Sequence, residues 1–244
     1  MVSDGAFDET VAPGYDDDCA AMFAPEVLEP TVALLADLAG GRPALEFAVG
    51  TGRVALPLAD AGIEVHGIEL SRAMIAEMRA KPGGDAIPVT IGDMATTRVD
   101  GEYGLVYLVF NTITNLLTQN EQVDCFRNAA AHLVPGGCFV IETGVPRIQD
   151  LPRGERFLAF DAGDEHGGID EYDLLEQRLV SHHYRTGDRA GRFSSEHRWA
   201  WPAEYDLMAR IAGLRLRDRW ADWHRSPFTD TSRTHISVWE RVES

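Results

Sequence analysis

The sequence predicts an α/β protein in which a doubly wound, mostly parallel sheet is followed by an added antiparallel segment. Short apolar runs alternate with helical segments about four times between residues 44 and 143, which is typical of parallel strands joined by right-handed helical crossovers. After about Val145 the rhythm changes to longer segments that alternate polar and apolar residues, a pattern that favours antiparallel strands.

The alternating part predicts five strands and the helices between them. Apolar runs predict strands at 44–49, 63–68, 87–91, 103–110 and 138–143. Helices are predicted at 30–38, 53–60, 72–79 and 119–133. Ser71 is the expected N-cap of the third helix, and Thr118 with Glu121 has the spacing of a capping box for the fourth.

The rest of the chain predicts antiparallel strands and one more helix. Residues 169–186 and 192–201 are predicted as two long strands around a hairpin at 187–191. Pro202 then opens a helix over 203–212, and two final strands follow at 214–223 and 234–240.

The charge balance excludes several classes of partner. The chain has 39 Asp and Glu against 22 Lys and Arg, a formal net charge of −17, so it should not bind nucleic acid or an anionic membrane surface. The first ten residues lack a signal-peptide pattern, and no eighteen-residue apolar stretch is present. Three widely spaced cysteines predict neither disulfides nor a zinc site and fit a cytoplasmic location. No metal site is expected, because the adjacent carboxylates of Asp16, Asp17 and Asp18 are better interpreted as a solvated charge run.

The most informative segment runs from Glu46 to Arg53, at the carboxyl end of the first predicted strand. Gly50 and Gly52 stand where the chain must turn sharply into a helix, and glycines there let a ligand approach the backbone.

Two acidic residues sharpen this signal. Glu69 ends the second strand, 19 residues after Gly50, where a carboxylate can accept hydrogen bonds from both ribose hydroxyls of an adenosyl ligand. Asp93 ends the third strand, where it could accept from an adenine amino group while Met94 packs on the ring. These strand ends would converge on one crevice.

With these features, residues 40–143 resemble the class I S-adenosylmethionine-dependent methyltransferases. The segment 46–52, Glu69, Asp93-Met94 and the Leu-x-Pro-Gly-Gly sequence at 133–137 match that family's motifs. One departure is Ala48, which stands where the family usually has its first glycine. The resemblance implies a Rossmann-like, seven-stranded sheet whose last strand is antiparallel, with 234–240 as the candidate.

The same resemblance implies the cofactor, S-adenosylmethionine, its product S-adenosylhomocysteine, and a set of binding residues. Glu46 would indirectly hold the amino group of the cofactor, and Phe110 and Asn111 would lie beside the reactive methyl. Tyr15 would fold over the cofactor from the N-terminal segment. The full expected set is Tyr15, Glu46, Ala48, Gly50, Thr51, Gly52, Arg53, Glu69, Leu70, Met74, Gly92, Asp93, Met94, Phe110 and Asn111.

The change of rhythm after about Val145, taken with the resemblance, divides the chain into four parts. These are an N-terminal helical arm or cap (1–40), the cofactor-binding core (41–145), an antiparallel substrate-side insertion (146–201), and a final helix and strands that complete the core sheet (202–244).

Methyl transfer to an oxygen usually needs a general base, and an amine must be uncharged to react. Histidine is the side chain best suited to either task near neutral pH. His182, His183 and His197 lie in the antiparallel segment, so they are the candidate bases if that segment covers the crevice.

The expected function is methylation of an oxygen or nitrogen atom of a small molecule, such as a natural-product or sugar intermediate. The Asn/Asp-Pro-Pro-aromatic signature of base-methylating relatives is absent after the fourth strand, which reads Phe110-Asn111-Thr112-Ile113. An NAD-dependent reductase and a non-catalytic S-adenosylmethionine-binding protein are the alternatives. The reductase would prefer a third glycine where Val54 or Ala55 stands. The assembly state is open between a monomer and a homodimer.

Overall fold

The computed structural model describes residues 7–187 and 190–242, which form two β-sheets and six α-helices. The strands are β1 (Ala44–Phe47), β2 (Val65–Glu69), β3 (Val89–Ile91), β4 (Tyr103–Leu108), β5 (Leu133–Gly144), β6 (Phe157–Ala162), β7 (His166–Asp173), β8 (Arg178–Arg185), β9 (Gly191–Arg198), β10 (Leu214–Trp220) and β11 (Thr234–Arg241). The helices are α1 (Tyr15–Asp18), α2 (Pro25–Ala39), α3 (Ala55–Asp60), α4 (Arg72–Arg79), α5 (Gln119–His132) and α6 (Pro202–Ile211).

The main sheet has seven strands in the order β10-β11-β5-β4-β1-β2-β3. Only β11 runs against the others, because it pairs antiparallel with both β5 and β10. The predicted fold class, including the antiparallel last strand, is therefore confirmed. The order reverses between β1 and β4, and open α/β sheets bind their ligands at such a switch point.

Helices cover both faces of this sheet and enclose two hydrophobic cores. On one face, Leu35 of α2 and Leu58 of α3 are fully buried against the central strands. On the other face, Phe126 of α5 and Tyr205 of α6 pack with Trp239 of β11. Every residue of β4 is buried, as a strand covered from both sides requires.

Local sequence signals set the beginnings of two helices as predicted. The Ser71 hydroxyl accepts a hydrogen bond from the Met74 amide (3.1 Å) at the start of α4. Thr118 and Glu121 form the complete capping box at the start of α5. Both caps satisfy amide groups that a helix N-terminus leaves without an internal partner.

The start of α2 differs from the prediction. The helix begins at Pro25, and Pro30 lies inside it rather than at its first position. The fixed φ angle of proline suits the first helical position, where its missing N–H group costs nothing. Pro30 lies further along the helix, where the missing N–H group removes one main-chain hydrogen bond. Burial of Leu34 and Leu35 one turn later offsets that loss. Residues 12–23 contain α1 and two 3-10 turns.

The second sheet has four antiparallel strands in the order β6-β7-β8-β9. The prediction of one strand over 169–186 was wrong, because a turn at 174–177 divides this stretch into β7 and β8. No strand was predicted where β6 lies. The predicted hairpin at 187–191 lies between β8 and β9, although residues 188–189 are outside the described residues.

No helix within residues 7–187 and 190–242 is both long enough and apolar enough to cross a membrane.

Ala48 has a left-handed backbone conformation, with φ of +55°. A Cβ atom in this region costs roughly 1–2 kcal/mol, whereas glycine adopts it freely. We therefore expect Ala48→Gly to raise the free energy of unfolding by up to about 1 kcal/mol, after the entropy cost of glycine is subtracted. In a chain of this size the melting temperature should rise by roughly 2–4 °C.

The matched control is Ala59→Gly, inside α3. It should lower the free energy of unfolding by about 1 kcal/mol, the usual cost of glycine in a helix. Equal destabilisation by both substitutions, measured by thermal and urea unfolding, would show that Ala48 is not strained.

Candidate functional site

The turn after β1 has a backbone that a ligand can approach closely. Gly50 and Gly52 have φ angles of +57° and +80°. A Cβ atom on Gly52 would lie 2.6 Å from the Met78 Cγ atom, so glycine is required there by space as well as by conformation. The sharp turn predicted at Gly50 and Gly52 is present, and Ala48 also has a positive φ, which was not predicted.

Glu69, at the end of β2, is tied to this turn. Its carboxylate accepts hydrogen bonds from the Gly50 amide (2.8 Å) and the Ser71 amide (2.9 Å). The side chain is buried, and the two contacts set the distance between the glycine turn and the start of α4. Met74 completes this corner, because its methyl group lies 3.6 Å from the position of a Cβ atom on Gly50. Leu70, next in the chain, is half-buried.

Asp93 follows β3 at the same edge of the sheet. Its carboxylate caps the next turn by accepting a hydrogen bond from the Ala95 amide (2.7 Å), and it is exposed. Gly92 links this strand end to the previous one by donating its amide to the Glu69 carbonyl (2.9 Å). Met94 is half-buried, with its carbonyl held by the Asn128 amide group. The ends of β1, β2 and β3 thus stand side by side, as predicted from the spacing.

Glu46 lies inside β1 and is almost fully buried. It accepts a hydrogen bond from the Tyr107 hydroxyl of β4 (2.9 Å). Burial raises the pKa of this carboxyl to about 8, against the opposing effects of the Tyr107 hydrogen bond and the Arg53 guanidinium. Tyr107 was not predicted as a site residue. The available signal was a phenol in the middle of a mostly apolar central strand, which also begins with a second tyrosine, Tyr103.

Two residues after β4 have left-handed backbone conformations. Phe110 and Asn111 both have φ of +59°. The Asn111 side-chain oxygen accepts hydrogen bonds from the Gly144 amide (2.6 Å) and the Thr143 hydroxyl (3.1 Å). The Arg53 guanidinium lies 5.2 Å from the centre of the Phe110 ring. Strain of this kind is concentrated at ligand sites, and here it lies at the sheet edge where β1 and β4 end.

The N-terminal arm, defined here as residues 7–23, lies against the glycine turn. Asp16 accepts a hydrogen bond from the Thr51 hydroxyl (2.6 Å) and pairs with Lys81, whose ammonium also donates to the Thr51 carbonyl (2.8 Å). The interpretation of the Asp16–Asp18 run as solvated is therefore wrong for Asp16. Tyr15 packs edge-on against Phe7 (5.8 Å between ring centres), and burial raises the pKa of its phenol.

The three predicted histidines do not share one environment. His183 and His197 lie on the same face of the second sheet, since His183 pairs with Phe193 and His197 with Leu179 in register. His182 points to the opposite face, where its ring contacts Ser194 (2.8 Å) and Glu171 (3.4 Å). The face that carries His183 and His197 is called the inner face below.

Contacts from the inner face reach the loop after β4 and the N-terminal arm. His197 of β9 contacts the Thr114 hydroxyl (3.2 Å) in the 3-10 turn that follows Asn111. Arg185 of β8 donates a hydrogen bond to Asp18 of the arm (3.1 Å). The antiparallel sheet thus faces the arm and the end of β4. Among residues 7–187 and 190–242, no group of three or more histidine, cysteine or acidic side chains has a metal-binding arrangement.

Comparison with known proteins assigns the family. A family model described as a methyltransferase domain matches residues 44–137. The structure resembles the CcbJ methyltransferase from Streptomyces caelestis, with 38% sequence identity, 96% of each chain covered and a TM-score of 0.83.

Two curated relatives also match. The cypemycin N-terminal methyltransferase of a Streptomyces species is 28% identical over 99% of this chain and 100% of its own. A dTDP-3-amino-3,6-dideoxy-α-D-glucopyranose N,N-dimethyltransferase of Streptomyces fradiae is 35% identical over 40% of this chain and 38% of its own. These matches do not support the NAD-dependent reductase. The chain belongs to the class I S-adenosylmethionine-dependent methyltransferases.

Proposed function

We propose that this protein transfers a methyl group from S-adenosylmethionine to an amino nitrogen of a small natural-product or sugar intermediate. The observation that carries the choice of nitrogen is the match over the whole chain to a methyltransferase named for an N-terminal amine. The shorter match to an amino-sugar N,N-dimethyltransferase has the same acceptor atom and supports the same choice.

The residues at the carboxyl edge fit the cofactor. Glu69 and Asp93 offer carboxylate oxygens at two adjacent strand ends, where ribose hydroxyls and an adenine amino group can donate. The turn at Gly50 and Gly52 leaves room for the methionine part, and Thr51 is tied down by the arm. S-adenosylmethionine supplies an electrophilic methyl group on a sulfonium sulfur, which keeps the electron pair when the acceptor nitrogen takes the methyl.

The chain itself then has three tasks, which are to position the amine, to exclude water and to keep the amine uncharged. The inner face and the arm supply walls around the end of β4. A formal net charge of −17 attracts a cationic amine to the protein surface. A cytoplasmic location remains a proposal, supported by three cysteines that are all unpaired. A homodimer also stays a prediction.

The acceptor class can be tested with paired compounds. The purified protein and S-adenosylmethionine would be incubated with 3-amino and 4-amino deoxysugars, with short peptides that carry a free α-amino group, and with the matched sugars that have a hydroxyl in place of the amine. Mass spectrometry should detect methylated amines only. Methylation of the hydroxyl sugars without methylation of any amine would contradict the choice of nitrogen.

The cofactor residues can be tested by calorimetry. Glu69→Ala and Asp93→Ala should each weaken S-adenosylmethionine binding by about 1–3 kcal/mol, the usual effect of removing a charged hydrogen-bond partner. Asp60→Ala is a matched control, because Asp60 is an exposed acid at the end of α3. If both variants bind S-adenosylmethionine as tightly as the control does, the assignment of the two carboxylates to the cofactor site is wrong.

The raised pKa of Glu46 predicts proton release on binding. At pH 7 a carboxyl with a pKa of about 8 is mostly protonated. A cationic cofactor lowers that pKa and favours the ionised form. Binding should therefore release up to about one proton, and affinity should increase as the pH rises toward 8.

Calorimetric enthalpies measured at pH 7 in phosphate and in Tris give the number of protons released. Glu46→Gln cannot ionise and should show the same enthalpy in both buffers. Buffer-independent enthalpy in the unsubstituted protein would show that Glu46 does not change its charge on binding.

A further inference from the structure

Three side chains of the antiparallel sheet form a hydrogen-bonded row. The Asp161 carboxylate of β6 lies 2.5 Å from Nδ1 of His166 in β7. Nε2 of the same ring lies 3.0 Å from Nδ1 of His183 in β8. The row crosses three adjacent strands and ends at a histidine of the inner face.

The direction of these hydrogen bonds follows from the chemistry of the groups. An ionised carboxylate only accepts, so Nδ1 of His166 carries the proton and its Nε2 accepts when the ring is neutral. The partner Nδ1 of His183 must then be the donor. Neutral His183 is left with an unprotonated Nε2, and no described residue hydrogen-bonds to that atom. Its lone pair is therefore available to a ligand.

Aromatic contacts hold the His183 ring in place. It stacks on Phe193 with ring centres 4.4 Å apart and 5° between the planes, and the edge of Phe160 closes on it at 5.2 Å. Gly168, paired with His183, allows this packing, because a Cβ atom there would lie 2.1 Å from the Phe160 ring. The ring has little freedom to turn its Nε2 atom elsewhere.

The position of His183 directs it toward the acceptor side of the site. Arg185, two residues away on the same strand, reaches the arm at Asp18. His197, on the neighbouring strand, reaches the loop after β4 at Thr114. His183 lies on the inner face between these two contacts. The charged and titratable groups around it are Asp161, His166, Arg185, His197 and, from the opposite face of the same strand, His182; Asp18 lies beyond Arg185.

His197 is engaged differently. The Thr114 hydroxyl donates its proton to the Asn111 carbonyl (2.7 Å), so it can only accept from Nδ1 of His197. Nε2 of His197 then accepts from the Ser195 hydroxyl (2.8 Å). Both nitrogens are occupied, and the ring connects β9 to the strained turn at Phe110 and Asn111. It is a positioning residue for that turn.

We infer that Nε2 of His183 accepts the proton that the acceptor ammonium must lose before methyl transfer, and that Asp161 and His166 orient the ring for this step. The N–H bond of the ammonium breaks, its electron pair stays on nitrogen, and the proton forms the Nε2–H bond of an imidazolium. Nδ1–H of that imidazolium continues to donate to Nε2 of His166, which its contact with Asp161 keeps in the accepting tautomer. This inference rests on the proposed amine acceptor.

The surroundings keep His183 neutral before the step. Burial lowers its pKa, and the nearby His166 and Arg185 lower it further. A neutral imidazole at pH 7 is ready to accept a proton, and a bound ammonium that loses contact with water also gives up its proton more readily.

The tautomer can be measured without any acceptor. In protein labelled with ¹⁵N-histidine, at pH 8, His183 should show a protonated Nδ1 and an unprotonated Nε2. His166→Gln keeps an oxygen that can accept from His183 and should keep this tautomer, whereas His166→Ala removes the acceptor and should lose it. A protonated Nε2 on His183 in the unsubstituted protein would overturn the inference.

Kinetics then test the role, with the amine that the protein methylates fastest. His183→Asn should lower kcat/KM at pH 7 by about 10²-fold, the low end of general-base effects, and the deficit should shrink at pH values where the free amine predominates. S-adenosylmethionine affinity should be unchanged. His182→Asn, on the opposite face of the same strand, is the matched control and should stay near wild-type activity. Equal pH profiles for His183→Asn and the unsubstituted enzyme would refute the role, whereas absence of methylation of every amine by the unsubstituted enzyme would refute the proposed function instead.

Discussion

The Glu69 carboxylate connects the parts of the protein on which the site depends. One oxygen holds the amide of Gly50 and the other holds the amide of Ser71, so a single side chain sets the spacing between the glycine turn and α4. Because the carboxylate is buried, these charge-assisted hydrogen bonds are stronger than they would be in water. The left-handed φ of Gly50 and the cap at Ser71 both depend on this geometry.

A second set of contacts joins the arm and the antiparallel sheet to that turn. Asp16 holds Thr51, Asp18 holds Arg185, and Thr114 holds His197. The first contact lies at the glycine turn, the second joins the arm to the inner face, and the third joins the inner face to the turn after β4. The arm therefore contacts the glycine turn through Asp16 and the inner face through Asp18, which lie only two positions apart in the chain.

The sequence was most informative where structure is local. Caps at Ser71 and Thr118, the glycine turn, and acids at predicted strand ends all depend on neighbours within a few residues, and the structure has them where expected. The register of the antiparallel sheet depends on pairing across strands. For that reason the turn at 174–177, the strand β6 and the row from Asp161 to His183 could not be predicted from the residues alone. The interpretation of Asp16 as solvated was wrong for the same reason, since its partner Thr51 lies 35 residues away in the chain.

The two sheets offer different positions for polar side chains. The parallel sheet is buried on both faces, so the end of each strand is well positioned. Glu46 can remain in its interior, where the Tyr107 hydroxyl and the Ala55 amide donate hydrogen bonds to it. The antiparallel sheet has one exposed face and can place polar side chains at alternate positions of the other. On its inner face a histidine can be held by a hydrogen bond to one ring nitrogen while the other ring nitrogen remains available to a ligand. A buried parallel strand offers no such position, because each polar group placed there must be fully satisfied.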